Sequence, residues 1–454
     1  MLTLHEAAAA INAEASGKDV TFAGVSTDSR TVGSGELFVA LKGERFDGHQ
    51  FIGRAAGQGA VAAMAAKPEG ARLRAEYPDY PLLLVEDTCL ALGALAAFWR
   101  GRFAALKLAA VTGSNGKTTV KEMLAAILRE IAGGEGVLAT QGNLNNDIGV
   151  PLTLLKLRPQ HGFAVIEMGM NHPGEIAYLS GIARPDVALV NNAQPAHLAG
   201  LGGVEAVAQA KGEIFQGLKA EGLAVINADD DYAPLWRKLA AGHEVVDFGL
   251  EHEARVGADY RLHDFGAELR LKTPLGPIAV ALQVPGQHNV RNALAATAAA
   301  VALGADSRAI ATGLAGFAGV KGRLQRKKAL HGAILVDDTY NANPASVRAA
   351  IDVLAAAPGQ KILVLGDMGE LGPGAAEWHA QIGAQAKAAG LDWLLALGEL
   401  SAHAVRAFGA GARHFEDIEA LLAEAENLLA PGVTMLVKGS RFMQMERVVK
   451  SFEE

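Results

Sequence analysis

Cysteine is nearly absent from this sequence: Cys89 is the single one among 454 residues. No intrachain disulfide can form, so the fold must rest on burial and hydrogen bonding. Residues 1–10 lack a basic start followed by a signal-type apolar run, and no apolar stretch reaches about 18 residues. These absences argue against a secreted disulfide framework and a membrane-spanning chain, and they make the cytosol the expected compartment. Basic residues are fewer than acidic ones, 41 against 49, for a net charge of −8. The concentrated Lys/Arg surface that neutralises a nucleic-acid backbone is missing, so nucleic acid is not an expected partner. Aromatic residues make up only 6%, and alanine and glycine stand in their place. Half of the residues are hydrophobic and a fifth charged, which excludes a largely disordered chain. Cys89 sits in no nucleophile motif and reads as a plain core thiol.

With domains of about 100 to 200 residues, a chain of this length holds two to four compact units. Residues 2–85 mix short β-rich pieces (37–41, 82–85) with an alanine-rich segment, 51–66, whose pattern predicts a helix. A predicted helix over 90–103 precedes an apolar β-like run at 107–111, a glycine-rich turn and a helical pattern over 120–131. Further buried-strand candidates at 163–167, 187–191 and 223–227 alternate with helices, the arrangement of a doubly wound parallel sheet. From 251 to 285 polar and apolar residues alternate as in antiparallel strands, which predicts a β extension followed by a helix from about 289. Strands at 333–336, 361–365, 393–397 and 434–437 predict a second open α/β sheet of Rossmann type. The reading is therefore α/β in three domains: 1–86, small and mixed; 87–316, a central phosphate-loop domain with the β extension; and 317–454. No short-period repeat or low-complexity linker interrupts them.

Chemistry concentrates at strand ends. Thr112-Gly113-Ser114-Asn115-Gly116-Lys117-Thr118-Thr119 follows a strand and opens a helix, so backbone N–H groups and the helix N-terminus can surround phosphate oxygens. Lys117 supplies a positive charge to the outer phosphates and the Thr118 hydroxyl is placed for Mg²⁺. The usual first glycine of such loops is replaced by Val111. Glu167 ends an apolar strand, where a carboxylate can hold Mg²⁺ or simply cap a turn. His197, after the next predicted strand, is a second metal neighbour or a polar loop residue. Lys211 lies in a helical stretch where a lone lysine is ordinarily solvated. Asn289 and Asn292 open the helix after the β extension and offer amides for a base edge. Arg323 opens the third domain, and Asp337 and Asp338 end its first strand, where a carboxylate can reach a ribose hydroxyl.

Taken together these motifs resemble the Mur ligase superfamily over nearly the whole chain. The telling pieces are Ser26-Thr27-Asp28-Ser29-Arg30, Gly43-Glu44-Arg45-Phe46-Asp47-Gly48-His49, the 112–119 loop, Gly142-Asn143-Leu144-Asn145-Asn146-Asp147 and Glu167-Met168-Gly169-Met170. Downstream come Gly286-Gln287-His288-Asn289, Asp337-Asp338-Thr339-Tyr340-Asn341-Ala342-Asn343-Pro344, Leu365-Gly366-Asp367-Met368-Gly369-Glu370 and Lys438-Gly439-Ser440-Arg441. The displaced first glycine is usual in that superfamily. The Tyr340 to Pro344 turn is similar to the dipeptide-adding branch, whereas other branches typically carry a histidine there.

The resemblance implies an ATP-dependent amide ligase that adds D-Ala-D-Ala to a UDP-MurNAc-tripeptide in bacterial cytoplasmic wall-precursor synthesis, acting as a monomer on small molecules. It implies that Ser26, Thr27, Asp28, Ser29, Arg30, Arg45, Phe46, Asp47 and His49 face the UDP-sugar substrate. Asn143, Asn145, Asn146, Asn341, Asn343 and Arg441 would contact the peptide substrates. Gly113, Ser114, Asn115, Gly116, Lys117, Thr118 and Thr119 would hold ATP, joined by Asn289, Asn292, Arg323 and Asp338, with Asp337 competing for the last place. Thr118, Glu167 and His197 would surround Mg²⁺. Lys211, carbamylated in the family, would become an anionic ligand, and Lys117, Lys211 and His197 would be the catalytic set. Rival readings are a sister ligase, a folylpolyglutamate synthase, or a nucleotide-switched binding protein whose ATP hydrolysis ignores the dipeptide.

Overall fold

The computed structural model describes residues 1–44, 46–195 and 203–454. Its first unit is a five-stranded sheet ordered Glu14–Ser16, Leu82–Val85, Ala62–Ala66, Glu36–Val39, Gly24–Ser26. The last four strands run parallel and Glu14–Ser16 is antiparallel at one edge. The predicted helix over 51–66 is corrected here. Only Ile52–Gly57 is α-helical, and Ala62–Ala66 is a buried strand. Alanine favours helix in isolation, but Gly57 and Gly59 break the run. The segment beyond them is wedged between two strands that supply its hydrogen bonds on both sides.

The central sheet is wholly parallel, ordered Glu244–Phe248, Leu223–Asn227, Val187–Val190, Lys107–Thr112, Phe163–Glu167, Val137–Ala139. Lys107–Thr112 lies inside it, and the chain winds first to one side of that strand and then to the other. Such a sheet places its ligands at the carboxyl ends beside the reversal, which here are residues 112, 167 and 190. Leu108 and Ala110 belong to the core on one face and Ala109 and Val111 to the core on the other. That is the period-two alternation of a strand covered on both sides. The first face shares its core with the amino-terminal unit, including Leu2, Leu37 and Leu83. The second packs against the helix Gln287–Ala302 and a three-stranded antiparallel meander, Gly257–His263, Gly266–Thr273 and Gly276–Leu282. The expected β extension is this meander.

The third unit is a six-stranded sheet ordered Gln325–Lys328, Ile334–Asp338, Val433–Lys438, Gln360–Gly366, Trp393–Leu397, Ala412–Phe415, parallel except for Gln325–Lys328. It has its own core on each face. Strands Ile334–Asp338, Gln360–Gly366 and Val433–Lys438 point their carboxyl ends, and the loops that follow, at the central sheet's phosphate loop. The helix Pro344–Ala356 begins there with Pro344 in its first turn and Asn343 as a capping box with Ser346.

Candidate active site

A cavity of about 1110 Å³ lies between the central and third units. Its floor is the phosphate loop, between strand Lys107–Thr112 and helix Lys117–Ala132. Gly116 takes φ 78°, and a Cβ there would stand 2.3 Å from Asn292 Oδ1 and 2.6 Å from Asn191 Nδ2, so both conformation and closeness demand glycine. Lys117 Nζ donates to the Gly113 carbonyl at 2.8 Å. Burial pushes its pKa down, Glu167 opposes that shift, and the Arg323 guanidinium reinforces it.

Thr118 Oγ1 donates to Glu167 Oε2 at 2.8 Å and accepts from Arg323 Nη2 at 2.9 Å. The other Glu167 oxygen accepts from Asn145 Nδ2 at 2.8 Å, and the Glu167 N–H is held by Thr140 Oγ1. A buried hydroxyl and a carboxylate therefore meet at the head of the loop, hard oxygen donors of the kind Mg²⁺ takes. Lys211 is fully buried, and no carboxylate pairs with it among the described residues. Desolvation drives its pKa well down, with the Lys117 charge adding to the effect. His197, the expected second metal neighbour, and Arg45 lie outside the described residues.

Asn289 and Asn292 are buried at the cavity wall, with Asn292 Nδ2 donating to Asn289 Oδ1 and Asn289 Nδ2 to the Pro285 carbonyl. From the third unit come Arg323, stacked 4.4 Å from the Tyr340 ring centroid with its Nε buried and unpartnered among the described residues, and Asp338. Burial pushes the Asp338 carboxyl up while Lys438, donating to it at 2.6 Å, pulls it down. Asp338 lines the cavity. Asp337 is turned away from it, accepting from Thr339 and lying 3.5 Å from Lys327. Asn143, Asn145, Asn146, Asn341, Asn343 and Arg441 also line the cavity, and Arg441 donates to Glu446 at 3.0 Å.

The remaining candidates stand apart from this cavity, in the amino-terminal unit. Asp28 holds Arg30 through both carboxylate oxygens, and those hydrogen bonds lower its pKa to about 2. Ser26 Oγ accepts from the Asp28 N–H, Thr27 is half-buried beside it, and Ser29 is buried. Phe46 is exposed. His49 is buried with both ring nitrogens engaged, by Asp47 at 2.5 Å and by the Ala66 N–H at 2.9 Å, so its ring braces the fold instead of facing a ligand. Cys89 also departs from expectation. It is half-buried at the junction of the first two units and donates to Asp147 at 3.6 Å. Burial and that carboxylate push its pKa up to about 12, which leaves it without thiolate.

Sequence reasoning missed Asn191, Asn192 and Gln194, which pin the phosphate loop from the next strand end. Asn192 Oδ1 accepts from the Asn115 N–H, and the Gln194 N–H donates to Ser114 Oγ. The strand-end rule that singled out Glu167 applied equally to Asn191. It also gave no role to Lys438, though the lysine stands in a quoted motif.

Residues 111–300 match the Mur ligase middle domain, residues 322–441 the Mur ligase glutamate ligase domain, and residues 21–100 the Mur ligase family catalytic domain. The chain is 44% identical to the UDP-N-acetylmuramoyl-tripeptide–D-alanyl-D-alanine ligase of Escherichia coli (strain K12), covering 100% of this chain and 98% of the relative. It superposes on a crystal structure of MurF from Acinetobacter baumannii with a TM-score of 0.91 at 39% identity, covering 99% of this chain and 98% of that one. MurF ligase from Thermotoga maritima in complex with ADP gives 0.82 at 30% identity, covering 95% and 97%. The chain belongs to the Mur ligase family, in the branch of the UDP-N-acetylmuramoyl-tripeptide–D-alanyl-D-alanine ligases.

Proposed function

We propose that this enzyme joins D-Ala-D-Ala to a UDP-MurNAc-tripeptide, giving the pentapeptide, ADP and phosphate. The observation that carries this reading is the meeting of two walls. A phosphate loop with a buried Thr118–Glu167 pair lies across one cavity from the loops of the third unit that hold Asn341, Asn343 and Arg441. A carboxylate does not acylate amines in water, because oxide is too poor a leaving group. Cleavage of ATP removes that obstacle: the tripeptide carboxylate oxygen attacks the γ-phosphorus and ADP leaves, giving an acyl phosphate. The neutral amine of D-Ala-D-Ala then attacks the acyl carbon. The C–N bond forms as the C–O bond to phosphate breaks, and the amine proton leaves with phosphate or water.

Lys117 and the loop amides act on charge spread over the transferred oxygens. Asn289 and Asn292 flank the base, and Arg323 and Asp338 complete the nucleotide site from the third unit. Mg²⁺ would be held by Thr118 and Glu167, with His197 near it, and would supply charge neutralisation at the phosphates. Lys211 suits carbamylation, since burial favours the neutral amine, which is the form that adds CO₂. The product is an anion beside the Lys117 charge. Residues 1–86 would take the UDP-sugar peptide through the Ser26 to Arg30 turn and the Phe46 loop, 87–316 the ATP, and 317–454 the incoming dipeptide, with Arg441 reaching its carboxylate. The enzyme works as a cytoplasmic monomer on these small molecules. No helix of the described residues is long and apolar enough to cross a membrane.

The test is to incubate the protein with ATP, Mg²⁺, UDP-MurNAc-tripeptide in its diaminopimelate and lysine forms, and D-Ala-D-Ala, omitting each in turn and following products by mass. Pentapeptide formed only in the complete mixture supports the reading. ADP release indifferent to the dipeptide refutes it and favours a nucleotide switch.

A further inference from the structure

Asn115, in the middle of the phosphate loop, has every polar group engaged. Its N–H donates to Asn192 Oδ1 at 2.9 Å, and its carbonyl accepts from Asn191 Nδ2 at 2.9 Å and Asn192 Nδ2 at 3.0 Å. Its side-chain Nδ2 donates to Gln194 Oε1 at 2.6 Å. With Nδ2 so engaged, Oδ1 faces the third unit, where a donor can meet it. The donor is Asn343 Nδ2 at 2.8 Å. Asn343 is oriented independently, because its Oδ1 is committed to the Ser346 N–H that caps the helix Pro344–Ala356. Two amides, 228 positions apart in sequence, thus meet in complementary orientations, that of Asn343 set by its own helix cap.

The contact extends in both directions. On the central side Asn191 Nδ2 also donates to Asn292 Oδ1, and Asn292 to Asn289, so the same amide chain reaches the wall proposed for the base. On the other side the 338–343 loop is braced by Lys438 Nζ on the Asn341 carbonyl and Ser440 Oγ on the Ala342 carbonyl. The strand end carrying Arg441 therefore moves with Asn343. A second bond between the two walls among the described residues, Arg323 to Thr118, occupies the hydroxyl proposed for Mg²⁺. The Asn343 contact uses neither Lys117 nor Thr118, and so can persist with nucleotide bound.

We infer that the Asn343–Asn115 amide pair is a latch that registers the third unit on the phosphate loop, making Asn343 a positioning residue for amide-bond formation. This rests on the ligase reading above. The test uses Asn343→Asp and Asn343→Ser in the full chain. Each keeps an N-cap oxygen. Aspartate then presents an acceptor to an acceptor, and serine is too short to reach Asn115.

The expected result is a kcat lower by about tenfold, near 1.4 kcal/mol of barrier. The KM for ATP should stay within about twofold, with an unchanged melting temperature and a more expanded small-angle scattering profile in ADP and Mg²⁺. Combining Asn343→Asp with Asn115→Ala should cost no more than Asn115→Ala alone. Unchanged scattering, or additive losses in the double variant, overturns the latch. If the natural protein shows no dipeptide-dependent ADP release, the ligase reading fails separately. Scattering still decides the latch in that case: expansion of Asn343→Asp supports it and identical profiles reject it.

Discussion

On the phosphate-loop wall of the cavity, Lys117 donates, among the described residues, to the Gly113 and Ser114 carbonyls alone; Lys211, outside that lining but close enough to feel the Lys117 charge, is buried with no carboxylate paired to it among them. Across the cavity, Lys438 is paired with Asp338 at 2.6 Å and Arg441 with Glu446 at 3.0 Å. Buried charge is expensive unless compensated, which separates buried Lys438 with its carboxylate from buried Lys211 without one, while Arg441 is exposed. Lys117 has no salt-bridge partner among the described residues and only the nearby Glu167 charge to offset its burial, which fits a ligand that brings negative charge, while burial drives Lys211 toward the neutral amine. The pairs on the second wall orient one another and shape a surface. Lys121 shows that burial alone does not separate the cases. It is as buried as Lys211, yet it donates to the Thr140 carbonyl and to Glu122, and Thr140 in turn holds Glu167.

The largest effect is expected at Lys117. Lys117→Ala is expected to lower kcat by about a thousandfold or more, roughly 4 kcal/mol of barrier, with the melting temperature preserved. Activity near the natural level would remove the first wall's phosphate role. Lys211→Met and Lys438→Met should then shift stability in opposite directions. With its pKa depressed in the folded state, Lys211 binds fewer protons folded than unfolded between that depressed value and the ordinary 10.5. The uncarbamylated protein therefore gains stability as pH rises through that window and carries a cost at neutral pH. Lys211→Met should remove that slope and raise the melting temperature, while lowering kcat by about a hundredfold. Lys438→Met strands Asp338 in a buried site and should destabilise by about 3 kcal/mol. Thermal melts between pH 6 and 9 check both, and shifts of the same sign would collapse the distinction between the walls.

Smaller effects are expected at Arg441 and Cys89. Arg441→Ala should raise the KM for D-Ala-D-Ala by about tenfold, near 1.4 kcal/mol, and leave the KM for ATP unchanged, as steady-state kinetics in each substrate will show. An equal rise for both would make Arg441 a structural partner of Glu446 only. Cys89→Ser should leave turnover within about twofold, because a thiol pushed up to about 12 offers no thiolate at neutral pH. Loss of activity on thiol alkylation in the natural protein, but not in this variant, would contradict that.

How much of this was legible depended on whether a residue's meaning is local. The strand, loop and helix around Lys117 announce themselves through apolar runs and punctuating glycines, and the alternation of 257–282 marks the meander. Residues 62–66 misled because alanine's preference was overridden by two flanking strands. Strands Val137–Ala139 and Glu244–Phe248 were passed over because edge strands are short or half-polar. Within the site, Glu167 was found because a carboxylate at an apolar strand end is conspicuous. Lys211 looks like any helical lysine until its burial is seen, and Lys438 becomes meaningful only beside Asp338, 100 positions away. The asparagines of the loop network are least legible, since an isolated Asn signals a turn as readily as a buried amide.

In the proposed reaction the first wall turns a substrate carboxylate into an acyl phosphate before the second wall delivers the amine. The direct measurement is to label the tripeptide's terminal carboxylate with ¹⁸O, run a single turnover with ATP, Mg²⁺ and D-Ala-D-Ala, and weigh the released phosphate. One ¹⁸O atom transferred to phosphate in each turnover is the expected result. Phosphate free of label, with pentapeptide formed at the normal rate, would contradict it.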